Sequence, residues 1–127
     1  MSVQLNHTII HTRDKKEAAE FYCDILGLPA PSVSDPFLTV ACANDVTLAF
    51  ADYLPSATPQ HYAFLVSEAE FDAIFERLKA RGLRYWADPM HLRPSEINNA
   101  DGGRGLYWED PNGHNLEIIT RPYGSGT

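Results

Sequence analysis

The chain has 127 residues, 44% hydrophobic and 21% charged, a globular composition long enough to bury a core without disulfide staples. Its formal net charge is −7 with no offsetting Lys/Arg cluster, which argues against a nucleic-acid backbone as partner. No apolar run approaches a membrane span, and the N-terminal residues carry neither a basic nor an apolar signal region, so a cytoplasmic protein is expected.

In chain order, residues 3–12 alternate well enough for a strand that sets His7, Ile9 and His11 on one face. Asp14 caps a helix of roughly 15–26, whose apolar positions Ala18, Phe21, Tyr22, Ile25 and Leu26 recur at helical spacing. Gly27 stops that helix in the left-handed region, and Pro29 prevents its continuation. Two β-type runs, Phe37–Cys42 and Val46–Ala51, follow around a turn at Ala43-Asn44-Asp45. Pro55, Ser56, Thr58 and Pro59 then mark a linker between half-modules of about 1–58 and 59–127 within one domain. The order repeats as a strand at 61–67, a helix at about 68–81 stopped by Gly82, a short strand at Leu83–Ala87, and strands at 104–109 and 114–120. Asp110-Pro111-Asn112-Gly113 is the turn between the last two. Residues 87–103, rich in Pro, Asn and Gly and without periodicity, form a long loop of the kind that is functional or mobile. Cys23 and Cys42 share no metal-type or redox-type spacing and read as buried small hydrophobes.

The two halves are therefore a repeat. His7 precedes Gly27 by 20 residues and His61 precedes Gly82 by 21, each histidine opening an apolar β-run that leads into an acidic helix start. Strands joined by tight turns pair antiparallel, so a mixed, mostly antiparallel sheet with the helices on its outer face is expected. A third residue joins the histidines: Glu117 lies inside the apolar run Leu116-Glu117-Ile118-Ile119, where an unpaired carboxylate is costly. Two imidazoles and one carboxylate make an N2O donor set for Zn, Mn, Fe, Co or Ni with positions left open for substrate. Taken singly, each residue reads more simply as a satisfied core histidine or an outward-facing strand carboxylate. The repeated histidine position tips the reading to one divalent ion bound by His7, His61 and Glu117.

Leu-Asn-His at 5–7, Gln-His-Tyr-Ala-Phe at 60–64 and Asp-Pro-Asn-Gly-His-Asn-Leu-Glu at 110–117 resemble the three ligand-bearing segments of the vicinal oxygen chelate superfamily, over nearly the whole chain. That superfamily contains glyoxalase I, fosfomycin-resistance enzymes, extradiol dioxygenases and metal-free bleomycin-sequestering proteins. The resemblance implies an α+β fold of two βαβββ modules around a cupped sheet. It also implies a homodimer, in several branches with ligands from both subunits. Locally the match is best to the fosfomycin enzymes, through His61-Tyr-Ala-Phe-Leu-Val and Gly103-Arg-Gly-Leu-Tyr-Trp-Glu-Asp-Pro. It makes Tyr107 a catalytic hydrogen-bond donor or acid and Arg104 an anion contact; a core tyrosine and a solvated loop cation are the plainer alternatives. His11, which shares the face of His7, and Arg93 on the long loop complete the candidate substrate contacts. His114 reads as support for its turn and Trp86 as core, while His91 does not match the acid/base histidine of the dioxygenases.

Departures narrow the branch. The strand bearing the fourth glyoxalase I ligand reads Val-Thr-Leu-Ala-Phe-Ala here, with no carboxylate, and the 87–103 loop does not match the fosfomycin enzymes. The expectation is a metal-dependent enzyme acting on a small oxygen-chelating substrate, by lyase or isomerase chemistry or by thiol or water addition. An Fe(II) extradiol-type dioxygenase and a metal-free small-ligand sequestering protein are the alternatives.

Overall fold

A computed structural model describes residues 2–126. The chain divides into two compact units, Met1–Thr58 and Pro59–Thr127, and each carries its own hydrogen-bonded sheet and helix, an α+β architecture of mixed strands.

In the first unit, β1 (His7–His11), α1 (Lys15–Leu26), β2 (Ser32–Ser34), β3 (Phe37–Ala41) and β4 (Thr47–Ala51) follow in order. The sheet runs β1-β4-β3-β2, with β1 parallel to β4 and the other two pairs antiparallel. The Asp14 carboxylate accepts from the N–H groups of Lys16 and Glu17, filling two of the orphan donors at the start of α1, a cap worth about 1 kcal/mol. Gly27, at φ 71°, ends the helix as expected. α1 packs on β3 and β4, and Ala18, Ala19, Tyr22 and Ile25 share the core with Ile10, Val40 and Phe50, all at most 1% exposed.

The second unit repeats this plan with β5 (His61–Leu65), α2 (Glu68–Ala80), β6 (Gly105–Glu109) and β7 (Asn115–Ile119), and a one-turn 3-10 helix at Ala100–Gly102. Its order is β5-β7-β6, with β5 parallel to β7 and β6 antiparallel to it. A capping box starts α2: Ser67 Oγ accepts from the Glu70 N–H, and the Glu70 carboxylate accepts from the Ser67 N–H. Alternation divides the sheet into two faces. Leu106, Trp108, Leu116 and Ile118 are fully buried, as are Phe71 and Leu78 of α2. Along β5 the opposite positions, His61, Ala63 and Leu65, are exposed.

The sheets are mixed and mostly antiparallel as expected, three pairings of five, and one expectation needs correction. The parallel pairings β1–β4 and β5–β7 join the first and last strands of each unit, so the sheets are mixed in a regular way that tight-turn reasoning does not reach. The strand expected at Leu83–Ala87 is reduced to isolated bridges at Trp86, one to Tyr107 and one to Pro94. The reason is local: Ser95, next to Pro94, sits in the left-handed region at φ 61°, so the extended pairing ends there. Trp86 nonetheless exchanges both main-chain hydrogen bonds with Tyr107, at 2.9 and 2.8 Å. It thus holds the place beside β6 that β2 holds beside β3. The brief β2, its three residues all exposed, has no counterpart among the sequence expectations.

Candidate metal centre

The open face of the second sheet carries the site. Register sets Ala63, Glu117, Tyr107 and Trp86 in one row across the sheet, with His61, Asn115 and Glu109 in the next. His61 Nε2 lies 3.1 Å from Glu117 Oε1. The Glu117 side chain is 14% exposed and that of His61 47%, so the carboxylate sits low in the face and the imidazole at its rim.

The hydrogen bonds constrain the His61 tautomer. Nδ1 is 2.8 Å from the main-chain oxygen of Asn115, an atom that only accepts, so Nδ1 carries a proton. In the neutral ring Nε2 then presents a lone pair, and it points at a carboxylate oxygen that also presents lone pairs. Two acceptors facing each other at 3.1 Å call for positive charge, either a proton on Nε2 or a bound cation. A ring fixed by an Nδ1–H bond to a carbonyl, with Nε2 aimed beside a carboxylate, is the usual disposition of metal-binding histidine. The donor set therefore fits a divalent cation.

His7, at the start of β1, has the same local form: Nδ1 lies 2.8 Å from the Asn6 side-chain oxygen and the ring is exposed. The parallel registers make the repeat explicit. His7 pairs with Thr47 as His61 pairs with Asn115, and Ile9 pairs with Ala49 as Ala63 pairs with Glu117. Ala49 is therefore the first-unit counterpart of Glu117, which locates the missing fourth carboxylate at one methyl side chain. Among the described residues, no group of three or more His, Cys, Asp or Glu side chains is arranged around a common metal position.

Tyr107 stands directly opposite Glu117 in the β6–β7 register, and its ring stacks near His61 with centroids 5.9 Å apart. Burial, then the hydrogen bond and charge of Glu117, hold its phenol well above the ordinary tyrosine range. The hydroxyl therefore keeps its proton and donates toward the carboxylate.

The remaining candidates lie elsewhere. Arg104 turns onto α2: Nε is 2.8 Å from Glu68 Oε1, one terminal nitrogen is 2.9 Å from Asp72 Oδ1, and the guanidinium lies over the Phe71 ring at 4.3 Å. Its charge is engaged on the helix rather than on the face that carries Glu117. Arg93 pairs with Glu96 at 3.1 Å within the long loop. His11 belongs to the first unit and packs edge-on against Tyr53 with centroids 5.8 Å apart. His114, read as support for its turn, is fully buried, and its Nδ1 accepts from the N–H of Gln60 just before β5.

One residue set aside by the sequence reading reaches the open face, and Trp86, read as core, is buried at 6% exposed. His91, from the long loop, stacks flat on Trp86 with centroids 3.8 Å apart and planes 4° from parallel, and its Nε2 lies 2.9 Å from Asn115 Oδ1. The repeat puts residue 86 beside the strand that bears Tyr107, while His91, in an aperiodic loop, carried no sequence signal.

The model of the Glyoxalase/Bleomycin resistance protein/Dioxygenase superfamily matches residues 4–118, and the chain belongs to that superfamily. The solved structure of Oxidase ChaP-H2 is 61% identical, covers 100% of both chains and superposes with a TM-score of 0.94. That of Oxidase ChaP-H1 is 58% identical over 97% of this chain and 99% of its own, also with a TM-score of 0.94. The glutathione transferase FosA of Serratia marcescens is 27% identical over 124 residues, 93% of this chain and 81% of its own length.

Proposed function

We propose that the protein is a divalent-metal-dependent enzyme that oxidises a small substrate presenting two neighbouring oxygen atoms, with dioxygen as electron acceptor. The observation that carries the metal is the His61–Glu117 pair, two acceptors turned toward each other with the imidazole tautomer fixed by Asn115. We take His7 as the third donor and a homodimer as the assembly, following the superfamily resemblance. The oxidative class is supported by two relatives named as oxidases, at 58% and 61% identity over essentially whole chains.

A bound divalent ion would supply positive charge for the substrate oxygens and, if redox-active, a route for electrons. The chain's own residues do the rest. Asn115 holds the His61 ring in one tautomer and orientation through its main-chain oxygen. Glu117 brings a negative charge low in the face, balancing the ion. Tyr107, kept protonated, has a hydroxyl to offer a substrate oxygen that develops negative charge. Its ring stacks near His61 on the same face.

A second reading, thiol or water addition, is supported by the 27% identity to a glutathione transferase across most of both chains. One assay separates the two. Protein loaded anaerobically with Fe²⁺ is mixed with dioxygen and catechol or hydroquinone substrates, and oxygen uptake is followed. Protein loaded with Mn²⁺ is given a thiol and an epoxide, and adduct is measured. Substrate-dependent oxygen uptake that disappears in Glu117→Ala is the expected outcome. Adduct formation without oxygen uptake would replace the oxidative reading with the additive one.

A further inference from the structure

We propose that Leu65 and Ile119 are specificity residues that receive an apolar body carried by the substrate, one row along the open face from its chelated oxygens. The proposal rests on the metal-chelate reading of His61 and Glu117 and names the kind of substrate that site selects.

The register divides the open face into three rows. His61, Asn115 and Glu109 form the first, Ala63, Glu117 and Tyr107 the second, and Leu65, Ile119 and Gly105 the third. The first row is polar, and His91 closes on it from the loop through its hydrogen bond to Asn115 Oδ1. The second holds the carboxylate and the phenol. The third has no polar side chain. Residues two apart on a strand share a face and lie about 7 Å from each other, so Leu65 is within reach of one ring or a short alkyl chain attached at the second row. Between His61 and Leu65 the strand presents only the methyl of Ala63. Leu65 is 60% exposed, whereas Leu106, Leu116 and Ile118 on the opposite face are fully buried. A single exposed leucine is ordinary on a protein surface; its register with the chelating row gives this one a use.

The far edge of the third row is shaped by a glycine. A Cβ at Gly105 would come 2.9 Å from Asn98 Oδ1, so the Asn98 amide occupies the space a side chain would take. Asn98 Nδ2 donates to the Ala87 carbonyl at 2.8 Å and Oδ1 accepts from the Ala100 N–H at 3.0 Å, so both ends of the amide are engaged on the loop. It bounds the row and leaves Leu65 and Ile119 as its surface. A substrate chelated at the second row must turn its carbon skeleton along the face in one direction or the other. Toward the first row it would cover the Glu109 carboxylate, whose side chain is 49% exposed, and strip water from a charge. Toward the third row it covers Leu65 and Ile119, a gain with every apolar surface removed from water. The face therefore selects a compound with two neighbouring oxygens at one end and an uncharged hydrocarbon body at the other.

Hydroxamates test this without turnover, because they chelate through two neighbouring oxygens and shift the visible spectrum of bound Co²⁺. The full chain loaded with Co²⁺ is titrated with acetohydroxamate and with 2-naphthohydroxamate. Wild type should bind the naphthyl compound about 10-fold more tightly or better. Leu65→Ser and Ile119→Thr should each erase most of that preference, while acetohydroxamate, too short to reach the third row, binds as in wild type. Leu65 is exposed, so Leu65→Ser should fold normally and carries the comparison if Ile119→Thr does not. A preference that survives in Leu65→Ser overturns the proposal. So does a change in that variant limited to its oligomeric state by light scattering, which would make Leu65 an interface residue. A wild type whose Co²⁺ spectrum responds to neither compound would remove the chelate reading, and this proposal with it.

Discussion

Tyr107 and Glu117 face each other across the antiparallel pair β6–β7, a phenol that keeps its proton directly opposite a largely buried carboxylate. Cross-strand neighbours on one sheet face are close enough to act as a unit. Tyr107→Phe keeps the ring and its stacking near His61 and removes only the hydroxyl. We expect metal binding and folding to persist while turnover falls on the order of a hundredfold, the loss of one positioned donor. Steady-state kinetics beside a melting curve check this; a large loss of stability with unchanged turnover would make Tyr107 a core residue.

The same hydroxyl gives a pH signature. Its folded-state pKa lies above the unfolded value near 10, so its stabilising contribution is complete below about pH 10 and is lost as pH rises through the folded value. Wild type should therefore lose melting temperature more steeply than Tyr107→Phe as pH rises above about 10. Parallel curves for the two proteins would mean that the phenol titrates normally.

Arg104 serves the second helix. Its partners Glu68 and Asp72 are well exposed, so solvent screens the pairs and Arg104→Ala should cost about 1 kcal/mol or less. We expect a small drop in melting temperature with KM unchanged. A several-fold rise in KM at unchanged stability would return Arg104 to the substrate site.

His114 and His61 make a pair of contrasting controls, one wholly buried and one on the open face. His114→Ala leaves a cavity and removes the acceptor for the Gln60 N–H, a cost of about 3 kcal/mol. It should depress the melting temperature and leave metal stoichiometry intact. His61→Ala should do the reverse, as equilibrium unfolding with metal analysis can show.

The repeat was legible because it is written in spacing: a histidine on a β-run, a capped helix, and a glycine stop in each half. Asp14, Gly27 and the strands at 61–65, 105–109 and 115–119 follow from caps, turn residues and alternation. The particular parallel pairings were not legible, since they join strands separated by a helix and by two further strands in the first unit and one in the second, and leave no local mark. Within the site, Glu117 could be found because a carboxylate in an apolar run demands a partner. Asn115 and His91 could not, because an asparagine beside a turn and a histidine in an aperiodic loop are unremarkable until the fold sets them 2.9 Å apart. Arg104 illustrates the opposite case: a local match to an anion-binding segment says nothing about acidic residues one helix away.

The central claim is that Glu117 and His61, with His7, bind one divalent ion, and metal stoichiometry tests it most directly. Protein stripped with chelator, dialysed against equimolar Mn²⁺, Fe²⁺, Co²⁺, Ni²⁺ and Zn²⁺ under anaerobic conditions and analysed for bound metal should retain one ion per chain. Alanine at His7, His61 or Glu117 should each reduce that to a small fraction, since each removes a ligand. Wild type that retains no metal, or a Glu117→Ala protein that retains a full equivalent, would contradict the account.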